Sequence, residues 1–520
     1  MPLFPFGSSL LPDEADVCVI GSGPAGAVVA VSLAERGCRV ALVEAGTEAN
    51  AERATDGIGR LDVGGAADVQ FGRAVQLGGS SNLWAGRVAP LEPADFEARD
   101  WIPGSGWPIG AADLAPYYER AFMLTGAAPT DAFDAVSSLP GPWGPLLTSG
   151  DVETKMFSWA SPPFRVAQWL KERRLDTLSI VTGATVTELL ADEQGRVTAA
   201  RIRAASGETA SVRARFFVLA AGGIEVVRIL LNSRSRFPHG LGNEQGNVGR
   251  YFSTHPKADI AALLIERRVR TDHPLFSNVM NKHGRFRAGI GLTRDAQLRH
   301  GLPNHYVQLS PLLEYRMSRL FERARTSSAI SSPLVDRTAV ARGFLQRAGL
   351  IVFEGIGHIA RVQPRAGTFT LRAFLDQYPD ADNRITLSRE TDARGVPKAD
   401  VRWRFADKDR QSVLDFLAVL DSAFRAFGIG RIEHERLKQM QQWPLTAIHS
   451  HFMGGTRMGD DPRTSVVDRD CRVHTAPNLY IAGPSLFPTY GFANPFLTIA
   501  ALSYRLADCL AVRVGAPNAG

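Results

Sequence analysis

Long apolar runs are missing from this chain of 520 residues. No stretch reaches the roughly 18 to 20 uninterrupted apolar residues that a membrane span requires. The opening MPLFPFGSSLLPDEA has neither the basic start nor the apolar core of a secretory signal, so a cytoplasmic protein is expected. Cysteine is scarce. Cys18, Cys38, Cys471 and Cys509 stand far apart without CxxC spacing, three of them inside apolar runs, which argues against metal ligation, redox pairing and a disulfide framework. No strong charge bias exists either: 59 Lys and Arg against 53 Asp and Glu leave a net +6, too mild and local to imply a nucleic-acid partner. Internal repeats and low-complexity segments are absent.

What the chain does have is length and an ordinary composition, 45% hydrophobic and 22% charged, which predicts two intimately joined domains. The clearest local signal lies near the start. Asp16-Val-Cys-Val-Ile20 reads as a buried strand, GSGPAG as a glycine turn, AVVAVSLAERG as a helix, and Cys38 to Glu44 as a second strand ending in an acid. In this βαβ setting a GxGxxG motif has separable physical roles. Gly21 permits the sharp turn, Gly23 lets a pyrophosphate approach the backbone, and Gly26 lets helix and strand pack closely. The helix start offers N–H groups and the positive end of its dipole, and Glu44 can accept both hydrogen bonds of a ribose diol. NAD and FAD both present that adenosine diphosphate. A strand and helix returning after hundreds of residues, at NLYIAG and beyond, favours a flavoprotein.

Further along, residues 71–107 are turn-rich and predict irregular backbone. Residues 180–219 alternate as strands, and residues 256–440 hold β-rich segments such as ADIAALLIE, GLIVFEGIGHIARV, TFTLRAF, RITLS and ADVRWRF. The arginine-rich stretch 312–325 has helical periodicity and reads as a surface helix over the second domain, with peripheral membrane or partner contact as the alternative. Trp84, Trp101, Trp107 and Trp443 read as core, with a sugar-stacking wall as the alternative.

Several motifs taken together resemble the glucose-methanol-choline (GMC) oxidoreductase family of FAD enzymes, particularly its pyranose-oxidase-like and bacterial sugar or polyol dehydrogenase branches. They are GSGPAG with Glu44, LGGSSNLWAGR, FVLAAGGIEVVRILLNS, NVGRYFSTHP, NRITLS, HFMGGTRMG and NLYIAGPSLFPTYGFANPFLTIAAL. The resemblance implies an α/β, Rossmann-like FAD-binding domain of the GMC and glutathione-reductase kind, with a second α+β substrate domain on a mainly antiparallel sheet. Residues 1–70, 170–255 and 445–520 are expected in the first, 256–444 in the second, and 71–169 as a flavin-covering loop and connection. It also implies which residues meet the cofactor: Gly21, Gly23, Pro24, Ala25, Gly26, Glu44 and Ala45 at the nucleotide end; Gly78, Gly79, Ser80, Asn82 and Leu83 in the covering loop; Val186, Ala221, Gly222, Gly483, Ser485, Asn494 and Pro495 elsewhere. Some relatives carry a flavin-bonding histidine where this chain has Leu83, so the FAD is expected to be non-covalent. Many relatives carry an aspartate where Gly483-Pro-Ser485 stands, and the polar contact there stays open.

In that family a histidine and a second histidine or asparagine face the flavin beside the substrate hydroxyl; the pattern falls here on His451 and Asn494. Removing a hydride from a carbinol carbon also requires the hydroxyl proton to leave, and a base with a pKa near neutrality suits that task. His449 is a competitor for the same role. Gly454 and Gly455 are expected to let the backbone approach the flavin. The resulting expectation is an FAD-dependent enzyme that oxidises an alcohol of a sugar, glycoside, cyclitol or other polyol, passing electrons to oxygen, a quinone or a small carrier. The alternatives are a hydrophobic steroid or aliphatic alcohol as substrate, or a lyase or decarboxylase on the same scaffold.

Overall fold

The computed structural model describes residues 3–5, 14–48, 56–64, 72–132, 139, 141–312, 365–445 and 451–516. The arginine-rich stretch after Leu312, the segment GLIVFEGIGHIARV and His449 lie outside the described residues.

The βαβ unit forms as its sequence dictates. Strand Ala15–Ile20 runs parallel to Val40–Val43 on one side and to the end of Thr209–Leu219 on the other. Leu178–Thr182 and Leu3–Pro5 extend the parallel sheet beyond Val40–Val43. Leu479–Ile481 adds a late parallel strand against Phe217 to Leu219, so the chain's end does return to this sheet. The long strand Thr209–Leu219 serves two layers, because its first half pairs antiparallel with Val197–Ala204, which pairs in turn with Ala184–Ala191.

Helix Pro24–Ala34, built mainly from Ala, Val and Gly, is buried nearly all round. It packs on the sheet and on the terminal helix Phe496–Val514. Close packing is where Gly26 acts: a Cβ there would stand 1.9 Å from the Gly21 carbonyl oxygen, so any side chain would push the helix off the turn. Cys18, Cys38 and Cys471 are buried in the core and all four cysteines are free thiols.

The second large sheet is antiparallel throughout its main path: Gly430–Glu433, Lys257–Arg270, Arg365–Phe374, Tyr306–Pro311, Gly284–Leu292, Val152–Trp159 and Arg87–Val88. Two of these strands, Val152–Trp159 and Arg87–Val88, come from the segment expected as loop and connection. RITLS and ADVRWRF, by contrast, leave this sheet: Arg384–Thr391 and Pro397–Arg402 join Ile58–Asp62 in a separate three-stranded sheet. The reason lies in pairing partners distant in sequence, which strand periodicity does not encode. No helix among the described residues is long and apolar enough to cross a membrane.

Candidate active site

A cavity of about 730 Å³ opens beside the carboxyl ends of the parallel strands and reaches the face of the antiparallel sheet. Its nucleotide end is made by the glycine turn. Gly21 takes a positive φ of 101°, and a Cβ there would meet the Ala220 oxygen at 2.7 Å. A Cβ on Gly23 would meet nothing within 4 Å, so the turn leaves open space on the cavity side. The helix that follows begins with Pro24 and has no side-chain cap, leaving its first-turn N–H groups for an anionic ligand.

Glu44 ends its strand inside this space. Its Oε2 accepts hydrogen bonds from the Ser22 N–H (2.9 Å) and hydroxyl (2.6 Å), and its Oε1 accepts one from the Gly46 N–H (2.8 Å). Burial raises its pKa, with these donors pulling the other way. These donors take three of the carboxylate's four acceptor sites, leaving one on Oε1 for a ribose hydroxyl. The Ser22 hydroxyl also accepts from the Gly78 N–H at 2.9 Å, tying the covering loop to the glycine turn.

Of the residues expected at the cofactor, Gly21, Gly23, Pro24, Ala25, Glu44, Ala45, Gly79, Ser80, Leu83, Val186, Ala221, Gly222, Gly483, Asn494 and Pro495 line the cavity. Gly26, Gly78, Asn82 and Ser485 do not. Asn82 instead braces the covering loop, donating to the Leu77 and Gly79 carbonyls at 2.9 and 3.0 Å. A Cβ on Gly78 would meet the Ala167 nitrogen at 2.6 Å, so that glycine serves close packing. Ser485 is fully buried, its hydroxyl without a hydrogen-bond partner. Among the four tryptophans singled out in the sequence, Trp84 alone lines the cavity, stacked on Phe496 with ring centres 4.0 Å apart.

His451 and Asn494 line the same cavity. The paired glycines behind His451 have a different role from the one expected. A Cβ on Gly454 would stand 1.9 Å from the Tyr251 oxygen and one on Gly455 would stand 2.8 Å from Val227, so Gly454 lets HFMGGTRMG pack against NVGRYFSTHP and Gly455 lets it pack against the helix Gly223–Asn232. Those two motifs pair antiparallel through Ser253 and Met453, each donating to the other's carbonyl at 2.8 Å. Counting two residues out in opposite directions puts His255 opposite His451.

The consequence is a histidine pair. The two Nδ1 atoms are 3.2 Å apart, and His255 Nε2 donates to the Gly491 carbonyl at 2.8 Å. With its proton on Nε2, His255 has only a lone pair at Nδ1; His451 must therefore carry its proton on Nδ1, which makes Nε2 the basic nitrogen of its neutral ring. Burial pushes the His255 pKa down to about 3, with Lys257 and Arg87 acting in the same direction and the Gly491 bond opposing. His255 is thus a neutral acceptor. Tyr490 secures the clasp, its hydroxyl donating to the Thr254 carbonyl at 2.8 Å. Asn494 donates from Nδ2 to the Arg87 carbonyl at 3.1 Å, and its Oδ1 is buried without a hydrogen-bond partner. His255 was visible in the sequence only as part of STHP, a landmark without an assigned role.

Residues 16–359 match the family described as FAD dependent oxidoreductase, and residues 379–503 match the GMC oxidoreductase C-terminal family. The chain belongs to the GMC family of FAD-dependent oxidoreductases. A relative in this family, paromamine 6'-oxidase of Streptomyces fradiae, is 26% identical, over 95% of this chain and 91% of its own. The 2-methyl-1,2-propanediol dehydrogenase of Mycolicibacterium austroafricanum is 23% identical over 96% of each chain. A solved FAD-dependent oxidoreductase from Chaetomium thermophilum shares the fold, with a TM-score of 0.57 at 17% identity, covering 97% of this chain and 100% of its own. Family membership makes the chain an FAD-dependent oxidoreductase acting on CH–OH donors. The glycine turn, the buried Glu44 and the uncapped helix start fit the adenosine diphosphate half of that cofactor.

Proposed function

We propose that this chain oxidises a primary or secondary alcohol of a sugar, glycoside, cyclitol or other polyol, with His451 as the base and Asn494 as the group that orients the hydroxyl. The observation that carries the proposal is that His451 and Asn494 line the cavity that Gly23 and Glu44 also line. FAD, when bound, supplies the hydride acceptor, its N5. The chain's own residues handle the proton. His451, protonated on Nδ1, presents Nε2 as the nitrogen that takes the hydroxyl proton. Asn494 keeps one Nδ2 hydrogen and the unpartnered Oδ1 for substrate oxygens. Leu83, having no nucleophile, supports non-covalent binding of the cofactor.

The names of the relatives, paromamine and a propanediol among them, favour hydroxyl-rich substrates. So does the lining: Gln308, Arg372, Lys257 and Arg87 make a poor match for a steroid or an aliphatic alcohol. Anaerobic mixing of the FAD-loaded protein with a panel of polyols and glycosides tests the reading. Bleaching of the flavin absorbance is expected. Conversion of a substrate with the flavin still fully oxidised would point instead to a lyase or decarboxylase.

A further inference from the structure

The wall of the cavity beyond His451 is cationic. Arg87, Arg372 and Lys257 all line it, contributed by three strands of the antiparallel sheet. Gln308 stands opposite Arg372 in register, and Phe374 follows two residues on along the same face. Among the described residues two acids also line the cavity, and both have other partners. Glu44 is held by Ser22 and Gly46 at the nucleotide end, while Glu225 pairs with Arg73 and with Arg228. Asp259 sits opposite Arg372 in the neighbouring strand and does not line the cavity.

Arg87 shows the cost of this arrangement. Its guanidinium lies over the rings of Phe157 and Phe374, 3.6 and 4.5 Å from their centres, and its Nη2 donates to the Tyr306 hydroxyl at 3.5 Å. The Nε is buried without a hydrogen-bond partner. Burial lowers its pKa to about 10, and the nearby Arg372 and Arg285 also act against the charge. Aromatic faces recover only a small part of what a cation loses on leaving water. An unpaired charge in a low-dielectric wall is therefore costly. A wall like this is complementary to an anion and repels a protonated amine.

Resting on the reading of the site as an alcohol oxidase or dehydrogenase, we infer that its substrate carries an anionic group, a carboxylate or a phosphate, close to the hydroxyl that is oxidised, and that Arg87 and Arg372 bind it. Lys257 adds positive charge beside them. Uronic acids, aldonic acids and sugar phosphates are the chemical class this describes.

The test compares glucose, glucosamine, glucuronate and glucose 6-phosphate on the full FAD-loaded chain, by calorimetric binding and by anaerobic flavin bleaching. At least one of the two anions is expected to bind about tenfold or more tightly than glucose, with glucosamine weakest and the preference shrinking as salt rises. Whichever anion binds tells carboxylate from phosphate. Arg372→Gln should cut the preference by about tenfold, and Gln308→Glu, which sets a carboxylate beside Arg372, should erase it. Equal binding of all four probes, or a preference untouched by both variants, overturns the inference. So does an Arg372→Gln effect that slows bleaching equally for neutral and anionic sugars, since the arginine would then act on the flavin. Selective anion binding without bleaching supports the inference and sinks the oxidation reading; bleaching by neutral sugars without anion preference does the reverse.

Discussion

The Nδ1 atoms of His255 and His451 lie 3.2 Å apart, and the bond from His255 Nε2 to the Gly491 carbonyl decides which ring holds the proton between them. His255 is therefore a positioning residue for the proposed base. His255→Asn retains an acceptor oxygen near the place of Nδ1, whereas His255→Phe fills the space without one. Flavin reduction is expected to stay within about tenfold for the first and to fall by about 10- to 100-fold for the second, with FAD bound in both. Equal losses in the two variants would reduce His255 to a packing role.

His451→Ala should slow anaerobic flavin reduction by about two to four orders of magnitude and leave cofactor affinity unchanged. Stopped-flow absorbance at substrate saturation reads this directly. Reduction at full speed would remove His451 from the chemistry and turn attention to His449.

Glu44→Gln replaces one carboxylate oxygen by a donor that faces the Ser22 or Gly46 N–H. The affinity of apoprotein for FAD, measured by fluorescence titration, should weaken about 10- to 100-fold. An unchanged affinity would leave Glu44 as a brace of the turn only.

The chromophore should leave the protein completely on acid precipitation, since Leu83 offers no atom for a covalent bond. Yellow colour retained in the washed pellet would contradict non-covalent binding.

Asp95 lies beneath the Gly491 turn that holds His255; its carboxylate accepts from the Glu92 N–H and from Asn304 Nδ2. Burial, helped by the Glu92 charge, raises its pKa to about 7. In the unfolded chain an Asp titrates near about 3.9. Between these values the folded state holds the extra proton, so this group's contribution to stability falls as pH rises from about 4 to about 7. His255 acts in the opposite sense: its folded pKa of about 3 lies below the ordinary 6.5, and stability is lost as pH falls through that window. Asp95→Asn should accordingly raise the thermal midpoint at pH 8 relative to wild type by more than it does at pH 5. A shift of the same size at both pH values would show that Asp95 is not titrating as argued.

The nucleotide end of the site was legible in residue order because its parts are local. A strand, a glycine turn, a helix start and an acid at the end of the next strand are fixed by backbone geometry within about thirty residues. His451 and Asn494 were legible through their motifs. His255, Arg87 and Arg372 were not, since each becomes significant only opposite a partner remote in sequence. His255 reaches His451 through the pairing of Ser253 with Met453, and Arg372 meets Gln308 across a strand pair.

By itself the sequence determined the βαβ unit, the family and the motifs that carry His451 and Asn494, because turn geometry and motif spacing are short-range constraints. Only the tertiary structure decided which nitrogen of His451 is basic, that Gly454 and Gly455 serve packing, and that the substrate wall is cationic. Tautomer, close contact and field all depend on through-space neighbours, and folding sets those by long-range strand register.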